Sequence, residues 1–262
     1  MNAQTADIFS QHRGRAFLWL DYRDYAARLL AGGNAPWGDP TALVAWFRAA
    51  QGLLHSDVVM LPAAAVAAAH AAPADADGDP LRRLRQQLSD ATLRQAVNTT
   101  LAGLRAAFPA LPLVLHLPTP GAWLALLLRD GADASLAQDE DSIDAAAVLI
   151  ADFLRSFANA GLDGLLLDEL DGTPPQDADA LYLPLLNVAS HYGWRAGWRC
   201  GEGACAGFAF VLAPDGDIAE CAWPASPSTA MPAHRPAHRP RYLRIPVDGI
   251  PEQVLSVLEA QR

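Results

Sequence analysis

Cysteine is scarce in this chain: Cys200, Cys205 and Cys221 are the only three among 262 residues. An odd, low count excludes a disulfide framework and points to a reducing compartment. Basic residues are also in deficit, 19 Lys plus Arg against 29 Asp plus Glu, for a net charge of -10. Phosphate backbones and anionic lipid surfaces need a basic face, so nucleic-acid and membrane-surface partners are excluded. No apolar run reaches the roughly 18 residues of a membrane span. The longest candidate, 58–72, is Ala-rich and interrupted by Pro62. No basic segment followed by an apolar one opens the chain, so no secretory signal is read and a cytoplasmic location is expected. A Walker loop, a GxGxxG turn and a Ser-His-Asp or Cys-His signature are all missing. "CGEGACAG" (200–207) is Gly-rich but does not lead into a helix, so it lacks the setting of a phosphate cradle.

What is present is core-forming. With 52% hydrophobic and 18% charged residues, the chain can bury one large core, and residues 1–262 read as a single α/β-barrel domain. Apolar runs alternate with helical patterns. "RAFLWLDY" (15–22), "SDVVMLP" (56–62), "LPLVLHLPTP" (111–120) and "LDGLLLDE" (162–169) read as strands. Helices are expected over 39–54, capped by Asp39 with Pro40 at the first turn, over 88–108 capped by Ser89, from 121, over 142–161 with a Gly stop, and over 177–193 with Pro184 as a kink. Short strands alternating with helices of ten or more residues imply a parallel sheet covered by helices.

The last quarter changes character. "WRAGWRC", "GFAFVLAPDGDIAECAW" and "RYLRIP" read as strands joined by short links, and "PEQVLSVLEAQR" as a closing helix. "PDGD" (214–217) is too short for an ordinary parallel crossover, so an antiparallel hairpin is expected over 207–223. About eight strands in all give the expected fold: an irregular TIM-type (β/α)8 barrel with an antiparallel hairpin in its C-terminal quarter. The tandem "PAHRPAHRP" (232–240) reads as an exposed polyproline-like loop, or as a lid carrying Arg235 and Arg239 over an anion.

Three segments in order, "LLHSDVVMLPAAAV" (53–66), "HLPTPGAWLALLLRDG" (116–131) and "AAVLIADFLRSFANAGLDGLLLDELDG" (146–172), resemble the uroporphyrinogen decarboxylase family. Its wider superfamily includes cobalamin-independent methionine synthase and corrinoid-dependent methyltransferases. The resemblance spans roughly half the chain. It implies a barrel with its site at the C-terminal strand ends and lyase or methyl-transfer chemistry on a small organic acid or methyl donor. The departures narrow it. The decarboxylases' catalytic aspartate after the second strand falls at Ala63, and their arginine-rich opening has only Arg13, Arg15 and Arg23 as counterparts, which argues against tetrapyrrole decarboxylation. The methyltransferases' His-x-Cys zinc pair is missing, and His191 with the three cysteines has the wrong spacing. "AGLDGLLLDELDG" (160–172) also resembles the acidic strand of citrate-lyase-type aldolases, which gives a Mg²⁺-dependent carbon–carbon lyase as a further alternative. "CAGFAFVLAPDGDIAEC" (205–221) resembles the cysteine hairpin of auxiliary iron–sulfur domains, but the CxxxCxxC run of that chemistry is absent. No cofactor is therefore indicated.

The candidate site residues sit at strand ends. His116, Asp168 and Glu169 are the catalytic candidates. Asp21, Arg23, Arg195 and Arg199 are the substrate-binding candidates, for a small anionic substrate or ligand. Asp168 and Glu169 lie on opposite phases of a strand, so one faces a barrel mouth and the other does not. Each has an ordinary alternative: a cap or solvated acid for Asp168 and Glu169, a core histidine bonded to a carbonyl for His116, and a surface pair with Asp24 or Asp39 for Arg23. For Arg195 and Arg199 the ordinary alternative is an edge strand with arginines out and Trp194 and Trp198 in. Asp21, His116 and Asp168 are expected to share one pocket. A non-catalytic ligand-binding or partner subunit, or a homodimer, is the alternative from another class.

Overall fold

The structure, a computed structural model, describes residues 17–71, 79–128, 134–170, 172, 174–200, 207–224 and 240–261. Arg13, Arg15, Cys205, Arg235 and Arg239, and with the last two the proposed lid, lie outside the described residues.

In chain order the elements are β1 (Leu18–Asp21), α1 (Arg23–Ala31), α2 (Pro40–Leu54), β2 (Val59–Pro62), α3 (Ala63–His70), α4 (Pro80–Ser89), α5 (Ala91–Ala107), β3 (Leu113–Pro118) and α6 (Pro120–Leu127). A 3₁₀ turn at Ala134–Ala137 follows, then α7 (Glu140–Arg155), β4 (Gly164–Asp168), α8 (Ala178–Leu181), α9 (Leu183–Tyr192), β5 (Arg195–Arg199), β6 (Phe210–Ala213), β7 (Ile218–Cys221), β8 (Arg241–Arg244) and α10 (Pro251–Gln261). All eight strands are parallel, in the order β1-β8-β7-β6-β5-β4-β3-β2. They curl into a nearly closed, TIM-like barrel with helices between strands.

The seam between β1 and β2 is closed by side chains. Leu18 N–H donates to Asp57 Oδ2 (2.8 Å) and Leu20 N–H to Ser56 Oγ (3.0 Å), while Asp57 N–H donates to the Leu18 carbonyl (2.8 Å). Ser56 and Asp57 thus satisfy β1 donors that would otherwise be buried without partners. The Gln51 amide holds the Ser56 carbonyl in turn.

Alternation along each strand sorts the core into two layers. Phe17, Trp19, Met60, Val114, Leu166, Phe210, Leu212, Ile218 and Tyr242 fill the barrel. Leu18, Leu20, Leu61, Leu115, Leu167 and Trp198 join the cluster shared with the helices. Trp19 packs on Phe210 (6.1 Å) and Tyr242 (5.9 Å). Gly197 makes room for that cluster: a Cβ there would lie 2.0 Å from the Phe210 ring.

The expected hairpin is corrected. β6 and β7 are parallel, in register only at Leu212↔Ile218 and Ala213↔Ala219. Because β7 starts two pairs from the end of β6, the chain steps back only a short distance, and residues 214–217 suffice. Gly216 donates its N–H to the Ala213 carbonyl, and a Cβ there would lie 2.3 Å from the Val211 carbonyl oxygen. Asp217 Oδ2 accepts the Val211 N–H (2.9 Å). The expected edge strand is corrected too: β5 lies between β4 and β6, with Trp198 outward. Asp39 caps α2 as expected. The helix expected over 88–108 begins instead after Asp90, whose side chain takes the Thr92 N–H, and Ser89 ends the preceding helix. The 177–193 helix breaks at Tyr182, just before Leu183 and Pro184.

Candidate functional site

The C-terminal mouth of the barrel carries one connected set of polar side chains. His116 on β3, Asp168 on β4 and Arg199 on β5 lie on the inward phase, as do Glu220 on β7, Asp21 on β1 and Tyr242 on β8. His116 Nε2 donates to Asp168 Oδ2 (2.8 Å), and Arg199 Nη1 donates to Asp168 Oδ1 (2.9 Å). Arg199 also holds Glu220 Oε1 through Nε (3.1 Å) and Nη2 (2.6 Å). Its guanidinium lies 6.0 Å from the Tyr242 ring centre. Tyr242 donates its hydroxyl to Asp21 Oδ2 (3.0 Å). Arg23 grips Asp21 with a two-point fork, Nε to Oδ1 and Nη2 to Oδ2, both 2.8 Å. Arg244 reaches Asp21 more loosely, at 3.4 Å, and is 46% exposed.

The protonation states follow from this geometry. Burial opposes the charge of Asp168, but the His116 hydrogen bond, the Arg199 charge and the Leu170 N–H (2.9 Å) outweigh it, holding the carboxyl far below its usual range. Asp21 is held low in the same way by Arg23 and Arg244 against its own burial. His116 is lowered as well, but here burial is the cause: with the Arg23 charge it outweighs the upward pull of Asp168 and Asp21. A neutral imidazole beside an ionised carboxylate must place its proton on Nε2. Nδ1 then carries a lone pair, and this buried atom has no hydrogen-bond partner among the described residues. An oriented, neutral imidazole with an unprotonated nitrogen has the chemistry to accept a proton.

Glu169 is elsewhere. Thr119 Oγ1 donates to its Oε2 (2.7 Å), and Tyr182 Oη and Trp198 Nε1 donate to its Oε1 (3.0 Å each). These partners belong to the layer between strands and helices, so Glu169 leaves the mouth and points away from Asp168. The two carboxylates therefore do not converge on one Mg²⁺. Among the described residues no group of three or more His, Cys, Asp or Glu side chains could hold a metal ion.

Arg195 sits at the opposite end of the barrel. It is paired with Gly164 at the start of β4, and its Nη2 donates to the Ala209 carbonyl (3.3 Å). It is four strand steps from Arg199, about 13 Å. Arg195, a substrate-binding candidate by sequence, thus lies away from the mouth that holds Arg199. Arg23 pairs with Asp21 rather than with Asp24 or Asp39. Asp21, Arg23, His116, Asp168 and Arg199 meet at one mouth; Glu169 and Arg195 do not. Glu220, Tyr242 and Arg244 belong to the same mouth and were not expected there. A readable signal existed: "RYLR" places Tyr242 and Arg244 on one phase.

The chain matches no protein-family model, and no curated protein matches it. Among the described residues no helix is long and apolar enough to cross a membrane.

Proposed function

We propose that the protein is a barrel enzyme that moves a proton on a small organic acid at the C-terminal mouth, with His116 as general base. The observation that carries this reading is the His116–Asp168 pair. The carboxylate fixes the ring and its tautomer, Arg199 fixes the carboxylate, and Nδ1 keeps its lone pair with no partner among the described residues. Arg244 is the anion anchor, because Arg23 and Arg199 already spend donors on Asp21, Asp168 and Glu220 whereas Arg244 is half exposed and loosely paired.

Lyase chemistry suits these groups. A base that takes the hydroxyl proton of a bound 4-hydroxy-2-keto acid lets the C3–C4 bond break: the hydroxyl becomes an aldehyde, the electron pair passes to the 2-keto group as an enolate, and C3 takes the proton back from the imidazolium, which Asp168 stabilises in between. All 19 basic residues are arginine, so a lysine Schiff base plays no part. The sequence resemblance to the uroporphyrinogen decarboxylase and methionine synthase superfamily supports the same placement of the site.

The test is hydrogen exchange. The protein is incubated in deuterium oxide with a panel of two- to six-carbon hydroxy and keto acids, and the acids are followed by proton NMR. Deuterium incorporation or cleavage of one acid, abolished by His116→Ala, supports the reading. Saturable binding of an acid with neither exchange nor cleavage replaces it with the binding-subunit alternative.

A further inference from the structure

Beside the C-terminal end of β4, on its helix-facing side, the chain forms a pocket of about 690 Å³. Small residues of α6, Gly121, Ala122 and Ala125, open one wall, and Pro174 and Pro175 after β4 form another. Most of the lining is apolar. Glu169, its partner Tyr182 and Gln138 supply the polar groups.

Glu169 is 5% exposed. Its three hydrogen-bond donors, two hydroxyls and an indole, are all neutral. Among the described residues no arginine or histidine is bonded to it, in contrast to Asp21 and Asp168, each held by a guanidinium. Oε1 accepts two bonds and Oε2 one, which leaves an acceptor position on Oε2. Burial raises the Glu169 carboxyl, and the neighbouring Asp168 charge adds to this, against the three donors that pull it down. A buried carboxylate without a counter-ion is costly, and a bound cation removes that cost.

We propose that this pocket is a second binding site, separate from the mouth, that takes an organic ammonium ion. The ammonium head donates to Glu169 Oε2, and an aliphatic or aromatic body lies along Ala122, Ala125 and the two prolines. The volume falls in the ordinary range for small-molecule sites. The opposite strand phases of Asp168 and Glu169 keep the two sites apart.

Calorimetric titration of the intact protein with hexylammonium, 1-hexanol and hexanoate tests this. Hexylammonium is expected to bind at least ten-fold more tightly than the isosteric alcohol, with hexanoate weakest. Glu169→Gln, which keeps size and an acceptor oxygen, removes the preference for the ammonium ion. Ala125→Trp fills the pocket from its solvent side and weakens all three probes. His116→Gln, at the mouth, leaves the three affinities unchanged, so this result stands or falls apart from the proton-transfer reading. Equal binding of amine and alcohol, a preference that survives Glu169→Gln, binding that survives Ala125→Trp, or loss of binding in His116→Gln would overturn the proposal.

Discussion

His116 Nε2 lies 2.8 Å from Asp168 Oδ2, and both side chains are buried at the barrel mouth. The pair joins β3 to β4, and Arg199 extends it to β5. Asp168→Asn replaces an acceptor with an amide that cannot accept from both His116 and Arg199. Breaking a buried, charged network costs about 3 kcal/mol. This exceeds the roughly 1 kcal/mol fitting for a strand-end acid without buried partners. Turnover of the exchanging acid should fall about 10²-fold or more. Urea titration and the deuterium assay measure the two losses.

The pH dependence has a definite sign. His116 is held neutral in the fold, below its ordinary value of 6.5. The unfolded chain therefore binds a proton first as pH drops, and stability begins to fall below about pH 6.5. Asp21 and Asp168 are depressed below 3.8, so their stabilisation is present above that value and is lost as pH falls through it toward their folded values. Thermal unfolding from pH 8 to 3 should show two successive declines. His116→Gln should flatten the upper one and leave the Arg23-held Asp21 part of the lower one.

Glu169→Gln should behave unlike Asp168→Asn. The folded state raises the Glu169 carboxyl, so its ionisation near neutral pH opposes folding. The amide keeps an acceptor for Tyr182 and Trp198, and the Thr119 hydroxyl can turn to accept. Stability at pH 7 should stay within about 1 kcal/mol or rise. A loss comparable to that of Asp168→Asn in urea would mean that the buried charge is compensated by a cation.

The β1–β2 seam should be sensitive to small changes. Ser56→Ala strips the Leu20 N–H of its acceptor, and Asp57→Ala does the same to Leu18. Each buried orphan donor costs about 1–3 kcal/mol. Asp57→Asn keeps an acceptor oxygen and should be milder. Shifts of the urea midpoint at constant slope check the ranking.

Gly197→Ala should destabilise by about 1–3 kcal/mol through overpacking, because the new methyl meets the Phe210 ring. Phe210→Leu in the same chain should recover part of the loss. Equal midpoints for the single and double variants would show that the barrel core relaxes around the methyl group.

Local information determined much of this protein. The period-2 strand ends, the Asp39 cap and the Pro40 start are properties of a few neighbouring residues, and so the alternating order and the barrel class were legible. So was the placing of Asp21, His116 and Asp168 at strand ends, and the opposite phases of Asp168 and Glu169. Tertiary structure decided the rest, because hydrogen-bond partners are set by register between strands far apart in sequence. "PDGD" looks like a hairpin turn, and only the two-pair stagger of β6 against β7 makes it a link between parallel strands. "WRAGWRC" suits an edge strand with its arginines out. Neighbours on both sides instead turn Arg199 inward onto Asp168, 31 residues away in sequence. Glu169 carries the same charge as Asp168 one position earlier, but the helix layer surrounds it with neutral donors while the mouth gives Asp168 a guanidinium. A carboxylate's chemistry is fixed by the charges folded against it, and those come from distant segments.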